Sequence, residues 1–400
     1  MKFFKMRVLS FIGILTIFFC NTSSNTEQIL ALTNNSEATL GIALRYKIFI
    51  PPNRPNTIIV IFARSYGNLK ISIDKGVSWK NFYDYKTLIK WRDFHAKTIV
   101  PYLDYHSVIE GNSETIFITF PDYTDKKQKF IKYDFINDVI FKPFPLKDNE
   151  PNHHKRGTLL FDGKSIWIFT RTSKGSDVNW QGNIRYHHSK DKGNSWYSSS
   201  SDIGYVDKLD QDTRIGALMW DRKPTLIVWL GRDFKYKYYY WNGKTWFSPK
   251  GAEFSIEDKH PLTRQFAAIA YNGNLHIVWQ DKINGVLKEA WKKFNEKSWH
   301  QQVVEINEGN DNFLPILTKR GKYIYLFYSY IEKNGKRNIY GRVKFNNRWS
   351  NRFKVSSSGN NCRHPNVPRS VISKLNFIPI IWTEGQRAPY KICFKKILVK

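Results

Sequence analysis

Short apolar runs rich in Val, Ile, Tyr and Trp recur along the chain, separated by polar turns. No long segment keeps the apolar period of about 3.6 residues that marks an amphipathic helix. The pattern therefore predicts many short strands. The strongest runs cover 58–62, 116–120, 166–169, 226–229, 275–279, 324–328 and 377–382. Each sits in the same setting: a preceding short strand, a turn with Asn, Asp or Gly, a polar turn, and then a hairpin ending in an aromatic. The clearest units run from Thr213 to Trp246 and from Thr263 to Trp299. In these, Leu226-Ile227-Val228-Trp229 and His276-Ile277-Val278-Trp279 hold matching places. Extending the register gives units that begin near Tyr46, His106, Arg156, Arg214, Arg264, Asn312 and Cys362. Repeats of about 40–50 residues are the length of a four-stranded blade. The expected fold is an all-β propeller of seven blades. The last unit ends at Lys400 after three strands, so 39–50 is expected to supply the missing outer strand.

One element recurs almost residue for residue. Ser72-Ile73-Asp74-Lys75-Gly76-Val77-Ser78-Trp79 and Ser189-Lys190-Asp191-Lys192-Gly193-Asn194-Ser195-Trp196 both follow the pattern S-x-D-x-G-x-S-W. Asp suits the tight turn, because its carboxylate accepts backbone N–H bonds, and Gly supplies a positive φ. Trp opens the next strand and packs under the turn. Hairpins at 241–246, 294–299 and 345–349 look like shortened versions. The pattern resembles the Asp-box of the sialidase, or bacterial neuraminidase repeat, family. That resemblance implies a propeller with each box between the third and fourth strands of a blade. It also implies a structural role for Ser72, Asp74, Gly76, Trp79, Ser189, Asp191, Gly193 and Trp196, and six blades as the alternative to the seven counted.

Charge narrows the partner. Lys and Arg number 63 against 34 Asp and Glu, a net charge of +29. Such a balance suits an acidic partner. No zinc-ligand cluster or RNP-type aromatic motif is visible, and the basic residues are spread along the whole chain, so no nucleic acid is expected. An acidic carbohydrate, carrying sialic acid or uronate, is the expected ligand of a monomer that needs no cofactor or metal.

The N-terminus has a basic start followed by an apolar run, which matches a secretory signal peptide at 1–20. Ile17-Phe18-Phe19-Cys20 resembles a loose lipoprotein box with Cys20 as the acylated residue. Residues 21–38 are polar and read as a tether, leaving 39–400 for the propeller. The expected location is outside the cell, secreted or held on the surface membrane by the lipid anchor. Cys362 and Cys393 either pair in the last unit or stay free thiols; both remain open.

Propeller topology then selects candidate site residues. The first strand starts, and the second ends, on the face opposite the boxes. Arg214 and Arg264 each lie fifteen positions before a second-strand Trp. With Arg64, Arg156 and Arg363 they form an expected substrate-binding set, since Arg grips a carboxylate bidentately. Asp122, Asp233, Asp281 and Glu384 follow second strands and are candidates for acid–base work. Tyr390 and Tyr330 are nucleophile candidates by analogy with sialidases. Tyr46-Lys47-Ile48-Phe49, the 58–62 run, Arg64 and the first box occur in the family's order. Arg64 matches its second-position Arg, Lys47 stands where its first triad Arg belongs, and no Asp follows Arg64. A second resemblance is to seven-bladed polysaccharide lyases, through Asp104-Tyr105-His106-Ser107, His153-His154-Lys155-Arg156 and the box at 189–196. It implies His106 or His154 as the base, with Arg156 or Arg214 neutralising a uronate. The function expected is a divergent exo-α-sialidase acting on or binding acidic glycans. The alternatives are a uronate lyase or a non-catalytic propeller that binds glycans or proteins.

Overall fold

The computed structural model describes residues 26–399 except 42, 64–67, 82–106, 123–126, 138, 142–143, 147–156, 175–180, 199–202, 204–212, 232, 257–264, 282–284 and 307–312. Seven antiparallel sheets make a seven-bladed β-propeller, four of them four-stranded and three with a fifth short strand. The second strands of blades 1 to 7 are Ile58–Phe62, Thr115–Asp122, Ile166–Lys174, Lys223–Leu230, Asn274–Asp281, Tyr323–Ile331 and Phe377–Glu384. Each has a neighbouring strand on both edges and a neighbouring blade on both faces. That is why Ile58–Phe62 and Phe377–Glu384 are buried at every position. These are the strongest apolar runs of the sequence.

Blades adhere through the aromatics that close their outer hairpins. Trp79 of blade 1 meets Phe394 of blade 7 edge-on, ring centroids 4.9 Å apart. Trp196 of blade 3 meets Phe130 of blade 2 at 4.8 Å. Trp246 of blade 4 meets Phe169 of blade 3 at 5.0 Å, and Trp299 of blade 5 meets Phe254 of blade 4 at 4.6 Å. Each aromatic thus reaches back to the preceding blade, which makes the hairpin a seam between sheets.

The ring closes differently from the sequence expectation. Gln28–Thr33 pairs antiparallel with Tyr390–Leu398 and completes blade 7. The expected closing segment, 39–50, instead contributes Ile48–Phe49 as the first strand of blade 1. The run Gln-Ile-Leu-Ala-Leu-Thr is short, and averaging it with its Asn- and Ser-rich surroundings hid it inside the expected 21–38 tether. Cys362 and Cys393, also in blade 7, are buried free thiols. Burial pushes the Cys362 thiol up to about 11 and Cys393 higher still, so both resist oxidation.

Two segments of the chain occupy the propeller axis. The first is 38–47. Ala43 N donates to Phe266 O of blade 5, and Tyr46 Oη donates to Leu317 O of blade 6. A Cβ at Gly216 of blade 4 would lie 2.2 Å from Leu44 Cδ1 and 3.1 Å from Ala43 O, so a larger residue there would have to displace this segment. The second is 366–371. Pro368 bridges to Ile48 and Ser370 to Lys319. Asn366 locks the two together: its Nδ2 donates to Thr39 O and Arg45 O, and its Oδ1 accepts from Lys47 N. Arg369 spreads across four blades. It donates to the Glu110 carboxylate of blade 2, to Leu159 O of blade 3 at 3.3 Å and to Ala217 O of blade 4 at 2.7 Å. Its guanidinium also lies 4.8 Å from the ring centroid of Tyr46, at the entry to blade 1.

Removing one member of a buried charge pair strands the other. Arg369→Met is expected to lower unfolding free energy by about 3–5 kcal/mol. Adding Glu110→Gln should recover part of that loss. Denaturant unfolding of the single and double variants measures both; a loss within the scatter of surface substitutions would show that Arg369 does not hold the axis.

Candidate functional site

Antiparallel pairing sorts the blade ends. Turns between first and second strands, such as Asp221-Arg222 and Asn272-Gly273, share an end with the box hairpins. First-strand starts and second-strand ends share the other. Arg214 lies at this second end: it opens the first strand of blade 4, opposite Trp229. Arg171 lies there too, near the end of the second strand of blade 3, opposite Ile184. The two side chains converge. Arg171 Nη1 donates to Thr213 O at 3.0 Å and Arg214 Nη1 donates to the same oxygen at 3.2 Å. Arg171 is 3% exposed and Arg214 7%. Two guanidinium groups thus meet at one carbonyl, largely out of bulk water.

The same end carries further cationic character. Arg45 and Lys47 are buried, and Lys47 Nζ donates to Ser107 O at the start of blade 2. His364 opens blade 7. Burial, with Arg363 and Arg337 adding repulsion, pushes its pKa down to about 3 and keeps it neutral.

The carboxylates predicted for catalysis do not assemble. Asp233 is exposed and 3.6 Å from Lys235 of its own blade 4. Asp281 is fully buried in blade 5 and ion-paired with Lys288 of the adjacent strand at 2.5 Å. Glu384 is buried in blade 7, accepting from Ser358 Oγ at 2.8 Å with Lys391 at 3.7 Å. Tyr390 is half-buried and opens the third strand of blade 7, opposite Thr33. The reason is topological: residues that follow second strands sit one per blade, and here each is bound to its own sheet. Among the predicted arginines, Arg363 donates from Nε to Asn361 Oδ1 at 3.1 Å and sits in blade 7, whereas Arg214 is in blade 4. Arg64, Arg156, Arg264, His106, His154 and Cys20 lie outside the described residues.

Arg171 was missed by the sequence reading, although a signal existed. Two positions after the second-strand aromatic, blades 2, 5 and 7 carry an acid: Phe120-Pro121-Asp122, Trp279-Gln280-Asp281 and Trp382-Thr383-Glu384. Blades 1 and 3 carry Arg at that place: Phe62-Ala63-Arg64 and Phe169-Thr170-Arg171. Comparing repeats column by column, rather than searching for acids alone, singles out Arg171.

The box hairpins lie at the opposite end. Ser189 Oγ donates to Asp191 Oδ1 at 2.7 Å, and Asp191 also accepts from Asn194 N, Ser195 N and Ser195 Oγ. Asp74 makes the matching set with Ser72, Val77 and Ser78. Gly76 and Gly193 have φ of 78° and 88°. The carboxylates are thus occupied by their own turns. A cavity of about 490 Å³ opens at this end of the axis, lined by Trp220, Tyr271, Lys319 and Ser370. Its Lys319 Nζ donates to Ala270 O, and its Trp220 Nε1 to Gly273 O.

No protein-family model matches the sequence, and no curated protein matches it. Solved structures are similar in fold. The polysaccharide lyase Uly1 is 12% identical, over 95% of this chain and 95% of that chain, with a TM-score of 0.56. YCF48 from Cyanidioschyzon merolae is 12% identical, over 93% and 99%, with a TM-score of 0.55. AofleA from Arthrobotrys oligospora is 10% identical, over 83% and 90%, with a TM-score of 0.50. At these identities the likeness carries the propeller fold alone.

The turn geometry gives Asp191 a pH signature. Hydrogen bonds from Ser195, outweighing the small effect of desolvation, hold its pKa down to about 2. A depressed folded-state value stabilises the fold above the unfolded carboxylate value of about 4, and that contribution is lost as pH falls from about 4 to 2. Melting temperatures at pH 5 and pH 2.5 should therefore fall less steeply for Asp191→Asn than for the unaltered protein. An unchanged slope would remove Asp191 from acid unfolding.

Proposed function

We propose that this propeller recognises an acidic glycan, and that Arg171 and Arg214 grip the sugar carboxylate. The observation that carries the reading is the convergence of their guanidinium groups on Thr213 O, at 3.0 and 3.2 Å. A carboxylate beside them gains charge-assisted, bidentate hydrogen bonds. The net charge of +29 favours the same class of ligand, by drawing polyanions to the surface. The polysaccharide lyase that shares the fold is in keeping with a carbohydrate ligand.

Recognition fits better than sialoside hydrolysis. Lys47, at the place of the first triad Arg, spends its ammonium on Ser107 O. Asp233, Asp281 and Glu384 are each tied within a separate blade. Uronate cleavage, which would need a base such as His106, enters as an outcome of the test. Export through the segment 1–20 completes the reading, since it brings the protein to extracellular glycans.

Binding to immobilised sialylated, uronate-containing and neutral oligosaccharides tests the proposal. Acidic sugars are expected to bind and neutral ones not. Arg171→Ala and Arg214→Ala should each weaken binding by about tenfold or more, the value of one charge-assisted hydrogen bond. Raised salt should weaken the remaining interaction. Appearance of an unsaturated-uronate absorbance would extend the function to a lyase. Equal binding by the unaltered protein and both variants, with circular dichroism unchanged, would sink the arginine site.

A further inference from the structure

The seam that closes the ring gathers a second set of reactive side chains, unrelated to the arginine pair. Glu27 immediately precedes the closing strand, and Cys362 immediately precedes the first strand of blade 7. Glu384 ends the second strand of that blade, and Cys393 lies in its third. Ligand atoms of Glu27, Glu384 and Cys393 all lie within 4.8 Å of one another. Glu384 Oε2 is 3.5 Å from Cys393 Sγ and 3.8 Å from Cys362 Sγ. A tetrahedral zinc ion, bonded at about 2.3 Å to sulfur and about 2.0 Å to oxygen, holds such atoms about 3.5 Å apart. Glu27, Glu384 and Cys393 are therefore close to the spacing that one ion would impose, and Cys362, 3.8 Å from Glu384, stands next to them as the fourth donor.

The surroundings suit a cation. Both thiols and Glu384 are buried and Glu27 is half-buried. Two carboxylates crowd together with Lys391 as a neighbouring cation, 3.7 Å from Glu384 Oε1. Neighbouring serines orient the ligands. Ser357 Oγ donates to Glu27 Oε2 at 2.9 Å and Ser358 Oγ to Glu384 Oε2 at 2.8 Å. Partners of this kind fix the direction of metal ligands.

We propose that Glu27, Cys362, Glu384 and Cys393 bind one divalent transition-metal ion of the zinc class. Two soft sulfur donors select such an ion over calcium or magnesium, which prefer all-oxygen shells. Each thiol gives up its proton to solvent as its sulfur bonds the ion, and both carboxylates bind ionised. Glu27 belongs to the N-terminal end of the chain and the other three to the last blade. The ion thus clasps the two ends of the ring, at the seam held by pairing of Gln28–Thr33 with Tyr390–Leu398. This site is independent of sugar recognition.

The test uses the purified full chain, reduced and freed of metal, then titrated with zinc(II) and cobalt(II). One ion per chain is expected, and the cobalt form should show a thiolate-to-metal charge-transfer band. Removing the ion with a chelator should lower the melting temperature by about 5 °C. Cys393→Ser should weaken the charge-transfer band by about half, and Cys362→Ser together with Cys393→Ser should abolish it. Glu27→Gln, at the margin of the fold, should weaken the affinity at least tenfold while leaving circular dichroism unchanged. Three results would overturn the proposal: no bound ion with a thiolate band, an affinity unaltered by Glu27→Gln, or a Cys362–Cys393 disulfide in the protein as isolated.

Discussion

Arg369 is the contact on which the geometry of the ring depends. A closed propeller must fill the space where its innermost strands converge, and backbone carbonyls there need donors. This chain meets the need with its own segments. One guanidinium donates to Glu110, Leu159 O and Ala217 O and lies over Tyr46. Asn366, three residues earlier, bonds the other axial segment at Thr39, Arg45 and Lys47. Because Arg donates in several directions in one plane, it can tie several strands that a Lys could not. Burial raises the Glu110 carboxyl above its ordinary value, with Arg369 beside it opposing the shift. The pair is there for geometry, since its desolvation offsets much of its attraction.

On the proposed reading, a self-filled axis moves recognition off-centre. The ring of axial arginines expected from the repeats would require space that 38–47 and 366–371 occupy. Arg171 of blade 3 instead meets Arg214 of blade 4 at one carbonyl between two adjacent blades. The end of the ring that bears the boxes is devoted to adhesion. There Trp79, Trp196, Trp246 and Trp299 each reach the preceding blade. The seam between blades 5 and 6 adds a buried polar knot to its apolar contacts. Buried Glu289 accepts from His276 and Gln302 of its own blade and from Lys344 and Trp349 of the next. Against burial, His276 and Lys344 hold its pKa down to about 2, and burial keeps His276 below its ordinary value.

Much of the architecture was legible in the chain because it repeats. The seven second strands are continuous apolar runs, and all seven were placed, as was the seven-blade count. The boxes at 72–79 and 189–196 were visible because their turn demands Asp and Gly at fixed places. What escaped notice lacks a period. Gln28–Thr33 is a single short strand in polar surroundings, and its role is set by a partner more than 350 residues away. Arg369 lies in a segment that only blade 7 contains, so no comparison between repeats exposes it. The candidate site was half legible. Arg214 was found from its spacing to Trp229, while Arg171 stood at a position searched for acids alone. The carboxylates at 233, 281 and 384 sit apart for a physical reason: a residue type at a strand end does not say which neighbour it will pair with.

The central claim is that the axis belongs to the fold and that ligand meets the protein at the seam of blades 3 and 4. Hydrogen–deuterium exchange with and without a bound uronate- or sialate-containing oligosaccharide tests it most directly. The account predicts slowed exchange in the peptides around Arg171 and Arg214, with 366–371 already slow and unchanged. Slowed exchange confined to the box-end cavity around Trp220 and Tyr271, or within 366–371, would contradict it.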